Sequence, residues 1–176
     1  MPILARRIVL AIIAFAACRG SAQTVSDYFV FKGVLYSQTS TATPTQLNGA
    51  GYYFNVGING SNLGSISPAP SFTGPSTPQT NLQLVSGRWD YKSPYYSSQA
   101  ALDAAFPSSS TTPYNLTIPG ITSGVGLQLG PDQYPATIPK LTNTDLTWSG
   151  GELIVNANTS TTFNFSLFNE YAGAAP

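Results

Sequence analysis

The stretch Gly150–Tyr171 reads GGELIVNANTSTTFNFSLFNEY, and its period of two sets the expectation for the whole chain. Phe163, Phe165 and Leu167 fall on one side of an extended backbone. Asn164 and Ser166 fall on the other, with Phe168. That is the spacing of a strand with one buried face. Glu152–Val155 is a second strand, and the Asn-rich segment between them is a turn. The two are expected to pair. Upstream, QAALDAAFPSSSTTPYNLTIPG (Gln99–Gly120) predicts a short helix capped by Ser97 or Ser98, stopped at Pro107, and followed by a polar loop and a strand over Tyr114–Ile118.

Working outward, the same pattern repeats. Asp27–Tyr36 (DYFVFKGVLY) is rich in aromatic and β-branched residues, the side chains that suit a pleated sheet. Phe29, Phe31 and Leu35 share one face; Tyr28, Val30, Val34 and Tyr36 share the other with Lys32. Apolar groups on both faces imply a strand covered twice, or a strand with one face lined by aromatic rings. Tyr52–Ile58 is the next strand, set between turn signals at Asn48-Gly49 and Asn59-Gly60. Leu63–Ser67 is expected as a short partner strand. Pro68–Gln79 carries four prolines and is expected as a loop or an edge crossover, because proline cannot donate to a sheet ladder. Asn81–Val85, with Leu82 and Leu84 on one face, Arg88–Tyr91 and Val125–Leu129 complete the set. About nine short strands and one helical turn predict an all-β fold: an antiparallel β-sandwich, Ig-like or jelly-roll-like.

Composition agrees with that class. The chain has 176 residues, 42% hydrophobic but only 8% charged, with 16 Gly and 14 Pro. Gly and Pro in that number serve a fold built of many turns. Residues 23–176 are expected to form one domain behind a leader. In the leader, Arg6 and Arg7 precede the apolar run Ile8–Ala17, and small residues end at Ala22. This is the three-part layout of a secretory signal peptide spanning 1–22. The run is too short to cross a bilayer, which takes roughly 20 apolar residues. Arg6-Arg7 lacks the surroundings of a twin-arginine signal. Phe15-Ala16-Ala17-Cys18 resembles a lipobox with Phe where Leu is usual, so a lipid anchor at Cys18 is the alternative to soluble release. A secreted or cell-surface location is expected in either case.

Loss of the leader removes three of the seven basic residues. Lys32, Arg88, Lys92 and Lys140 remain against seven acids, a net charge near −3. No nucleic-acid partner is expected from a chain without a basic face. The single Cys lies in the leader, so the mature domain must hold together without a disulfide.

One resemblance can be drawn from these residues. Ala100–Pro107 (AALDAAFP), Tyr114–Thr117 (YNLT), Tyr134-Pro135, Pro139–Thr142 (PKLT) and the following Trp-containing strand weakly resemble a pattern in uncharacterised exported bacterial β-sandwich domains. The likeness spans Gln99–Tyr171. It implies an exported sandwich and brings no activity with it. The Gly that usually precedes the Tyr of this pattern is replaced here by the longer polar run Ser108–Pro113.

The side-chain inventory narrows the chemistry. Histidine is absent, which removes Ser-His-Asp and Cys-His nucleophiles and His-rich zinc sites. Neither a metal nor another cofactor is expected. Two-carboxylate glycoside hydrolysis stays formally open, with Asp90, between Trp89 and Tyr91, as its best residue among Asp27, Asp103, Asp132, Asp145, Glu152 and Glu170. The most suggestive feature is RWDYKSPYY, Arg88–Tyr96. Trp89, Tyr91, Tyr95 and Tyr96 are the candidate ligand-binding residues, since Tyr and Trp pair an apolar ring with a polar tip. Arg88 and Lys92 could add hydrogen bonds. The opposing reading puts Trp89 and Tyr91 in the core, and Trp148 likewise. Sequons at Asn115, Asn158 and Asn164 reflect the abundance of Asn and Thr. The expectation is a non-enzymatic, extracytoplasmic binding or adhesion module for an uncharged polar ligand such as a polysaccharide, or for a surface protein. The alternative is a structural matrix subunit that self-associates through its edge strands, the first strand and Phe163–Phe168.

Overall fold

The computed structural model describes residues 22–47, 51–131, 134, 137–144, 146–156 and 158–166. The expected leader up to residue 21, with Cys18, lies outside the described residues. So do the Asn48-Gly49 turn, Asp132, Asp145, Glu170 and the Leu167–Phe168 end of the last expected strand.

In chain order the strands are β1 (Thr24–Val34), β2 (Tyr36–Ser37), β3 (Thr45–Gln46), β4 (Tyr52–Ser61), β5 (Ser71–Thr73), β6 (Thr80–Asn81), β7 (Gln83–Val85) and β8 (Arg88–Lys92). The helix α1 (Gln99–Ala105) follows, then β9 (Ser109–Ile118), β10 (Thr122–Leu129), β11 (Thr147–Ser149) and β12 (Glu152–Ile154). One four-stranded sheet has the order β1-β4-β8-β7 and the other β10-β9-β5-β6. Every pairing is antiparallel. The fold is an all-β sandwich, as the short alternating strands predict.

The core lies between the two sheets. β4 supplies Phe54, Val56 and Ile58, and β9 supplies Tyr114, Leu116 and Ile118, each within 1% of complete burial. These are alternate residues of each strand, so the period of two is what turns them inward together. Rings join the layers: Phe54 lies 5.0 Å from Tyr114 and 5.8 Å from Phe72, and Phe72 lies 5.0 Å from Tyr91. Helix α1 closes one end. Ser98 accepts a hydrogen bond from the Ala101 N–H as its N-cap, Leu102 is fully buried, and Phe106 stacks on Phe54 at 4.2 Å with nearly parallel planes. Burying each such side chain contributes roughly 1.5–3 kcal/mol.

Four expectations are corrected. Leu63–Ser65 is a 3-10 turn and no strand. The proline-rich segment is not all loop: Ser71–Thr73 sits between its prolines as β5 and pairs with both β6 and β9. The prolines flank the paired residues, so none has to donate to the ladder. Asn81–Val85 is not one strand. The chain pairs with β5 up to Asn81, the N–H of buried Leu82 donates to Pro70 O, and Gln83–Val85 then joins β8 in the opposite sheet. The switch leaves Leu84 45% exposed. Finally, Glu152–Ile154 does not pair with Phe163–Phe168. It folds back on β11 across Gly150-Gly151, both at positive φ, the conformation a two-residue hairpin demands of its turn. The 163–166 segment instead lies along Lys140–Thr142, through Thr142 N–H to Asn164 O, Ser166 N–H to Lys140 O, and a Leu141–Phe165 bridge. Phe163 and Phe165 are 46% and 65% exposed, so the alternation that looked half-buried faces water.

Candidate functional site

The Arg88–Tyr96 cluster is divided between the two faces of the first sheet. In β8, Trp89 pairs with Ile58 and Tyr91 with Val56, both inward-facing residues of β4. Trp89 is therefore buried, with its indole N–H donating to Leu63 O at 2.8 Å. Tyr91 packs on Phe54, Phe72 and Phe106. Burial raises its phenol pKa above the ordinary 10.0, and nearby Tyr96 adds to the shift. Tyr96 is half-buried, edge-on to Phe106, and its backbone forms a bridge with Tyr52. Only Tyr95 is exposed. The four residues do not form one surface: three belong to the core or its margin, and Tyr95 joins a different set.

That set lies on the outer face of the first sheet. Arg88, Asp90 and Lys92 point outward from β8, beside Gly57 and Asn55 of β4, which in turn face Phe29 and Phe31 of β1. Four rings form a row across this face. Phe29 lies 5.6 Å from Phe31, Phe31 lies 5.8 Å from Tyr53, and Tyr53 lies 6.1 Å from Tyr95, the last two edge-on. Two glycines make room for the row. A Cβ on Gly33 would stand 2.8 Å from the Tyr53 ring, and a Cβ on Gly57 would collide with the Phe29 ring. The rings therefore lie down over bare backbone instead of standing up from the sheet. Phe31 and Tyr95 are exposed, and Phe29 and Tyr53 are half-exposed.

Polar groups frame the row. Lys92 Nζ sits 4.6 Å above the Tyr53 ring and 4.7 Å above the Tyr95 ring, and donates to the Tyr95 hydroxyl at 2.8 Å. Asp90 accepts from Arg88 and from Asn55 Nδ2, and the same Asn55 amide also donates to Tyr91 O. At the far end Asn59 donates to Asp27. Asp90, the leading carboxylate of the hydrolase reading, is thus engaged on both sides. No group of three or more acidic, His or Cys side chains able to hold a metal occurs among the described residues.

Sequence reading missed Phe29, Phe31 and Tyr53. Their signal was present in β1, whose apolar residues occupy both faces, and in glycines placed opposite aromatic residues on the neighbouring strand. Trp148 is half-buried on β11 opposite Leu153. No protein-family model, curated protein or solved structure matches the chain. The site's own chemistry therefore has to carry the function, since a sandwich fold hosts many. Among the described residues no helix is long and apolar enough to cross a membrane.

Proposed function

We propose that this chain is an exported, extracytoplasmic binding module that takes a glycan on the outer face of its first sheet. The row Phe29, Phe31, Tyr53 and Tyr95 carries the reading. An exposed ring offers an apolar face to the C–H side of a sugar, and hydroxyl and ammonium groups beside it fix orientation. Half the row is rigid because it rests on Gly33 and Gly57, so little freedom is lost on binding. Export follows from the leader pattern in the sequence; a signal-peptide cut after Ala22 is its expected first step, with lipid attachment at Cys18 as the alternative. The module does its work by contact, without bond-making.

A glycan array followed by titration calorimetry tests this. Phe31→Ala and Tyr95→Ala are each expected to weaken binding about tenfold, ~1.4 kcal/mol, while leaving the melting temperature unchanged. Glycan affinity indifferent to both substitutions would defeat the reading.

The self-association alternative draws support from β1, an eleven-residue edge strand. Two features blunt that edge. Lys32 points inward to Asp103 and Ser108, with its side chain 2% exposed, and the register breaks between Val25 and Asp27. An inward charge and a bulge are devices that keep an edge from pairing with another chain. A single sedimenting species at the monomer mass, up to high concentration, is expected.

A further inference from the structure

We infer that the sugar recognised by this face carries a carboxylate and that Lys92 holds it; this rests on the glycan-binding reading above. Lys92 is exposed, yet its ammonium is confined by two ring faces and the Tyr95 hydroxyl. Cation–π attraction to both rings fixes its place beside the row. An ammonium has three N–H donors. Tyr95 takes one, while Asp90 is engaged by Arg88 and Asn55, and Asp103 by Lys32. Lys92 has no carboxylate within ion-pair reach among the described residues.

A neutral pyranose stacked on Tyr53 or Tyr95 would give this ammonium an ordinary hydroxyl acceptor. A uronic acid would give it a carboxylate at the ring edge, and hydrogen bonds between ionised partners are about twice as strong as neutral ones. The cation thus marks a preference within sugars. The mature chain's net charge near −3 supplies no long-range attraction for an anion, so the preference is local. It should fade as salt screens a single exposed pair.

Titration with a short oligogalacturonate and with its methyl ester separates the possibilities. The acid is expected to bind the unmodified protein ~10-fold more tightly than the ester at low ionic strength. Lys92→Gln should abolish that preference and Lys92→Arg should keep it, each read as the ratio of acid to ester affinity in the same variant. Salt at about 1 M, where screening acts within roughly 3 Å, should also remove the preference. Equal binding of acid and ester, or a preference that survives Lys92→Gln, overturns the carboxylate assignment; if Phe31→Ala still weakens both sugars, the glycan face stands without it. Binding of neither sugar overturns the assignment, and an array on which Phe31→Ala changes nothing removes the face as well.

Discussion

Trp89 and Tyr95 lie six positions apart and have opposite fates. Trp89 alternates into the core and spends its N–H on Leu63 O; Tyr95, in the loop after β8, turns to the outer row. Trp89→Phe removes this donor and leaves Leu63 O with the Ile66 N–H alone. A loss of about 0.5–1.5 kcal/mol in urea unfolding is expected, with sugar affinity unchanged. Tyr91 gives a pH prediction. Its folded-state pKa is raised above 10.0 by burial and then by Tyr96. The neutral phenol is therefore favoured in the fold. This contribution is fully present below pH 10 and is lost as pH rises through the folded-state value. Unfolding free energy should fall as pH rises above the ordinary phenol pKa of 10.0, and Tyr91→Phe should flatten that decline. An equal decline in the variant would place the alkaline sensitivity elsewhere. Side-chain amides also act as backbone substitutes. Gln38 accepts from Leu141 N–H and donates to Leu141 O, while Asn143 accepts from Asn164 N–H and donates to Thr162 O. Each closes a two-point bridge where no strand is available, which is how irregular C-terminal backbone stays hydrogen-bonded.

At the scale of elements, the helix and the first strand depend on one another. Lys32 reaches from β1 to Asp103 on α1 and to Ser108 after it. Lys32→Met should cost about 1.5–3 kcal/mol, the range for hydrogen bonds to charged groups, and should leave β1 as a flatter, stickier edge. Chemical denaturation and sedimentation of the same variant read both effects. Gly33→Ala, on the opposite face, should displace the Tyr53 ring and weaken sugar binding while the core stays intact; unchanged affinity would mean the ring's position is irrelevant. Helix α1 was legible from its cap and its stop. β9 was legible from alternation, and β4 from the turn signals around Tyr52–Ile58, although Asn59-Gly60 lies inside the strand. β5 was not, since three paired residues framed by prolines carry too short a period to register. The break at Leu82 was hidden because Leu82 and Leu84 keep strand spacing while the chain changes sheets. The Phe163–Phe165 alternation misled because spacing reports which side chains share a face, and not which face meets the core.

For the whole molecule, the outer faces of a two-layer sandwich decide function, because its inner faces are committed to the core. The second sheet turns Asn115 and Thr117 outward from β9, beside Thr73 of β5. The first sheet turns out the aromatic row. The absence of His removed imidazole-based nucleophiles and His-rich zinc sites from the sequence reading. The proposed binding surface was half legible: Tyr95 and Lys92 stood in the quoted cluster, but their partners Phe31 and Tyr53 lie on strands distant in sequence that only the register β1-β4-β8 brings beside them. Chemical-shift mapping of the aromatic side chains during titration with an array-selected glycan tests the placement most directly. Saturable shifts are expected at Phe29, Phe31, Tyr53 and Tyr95, with the Trp89 indole N–H unmoved. Shifts centred on the 140–166 segment, with the row silent, would contradict it.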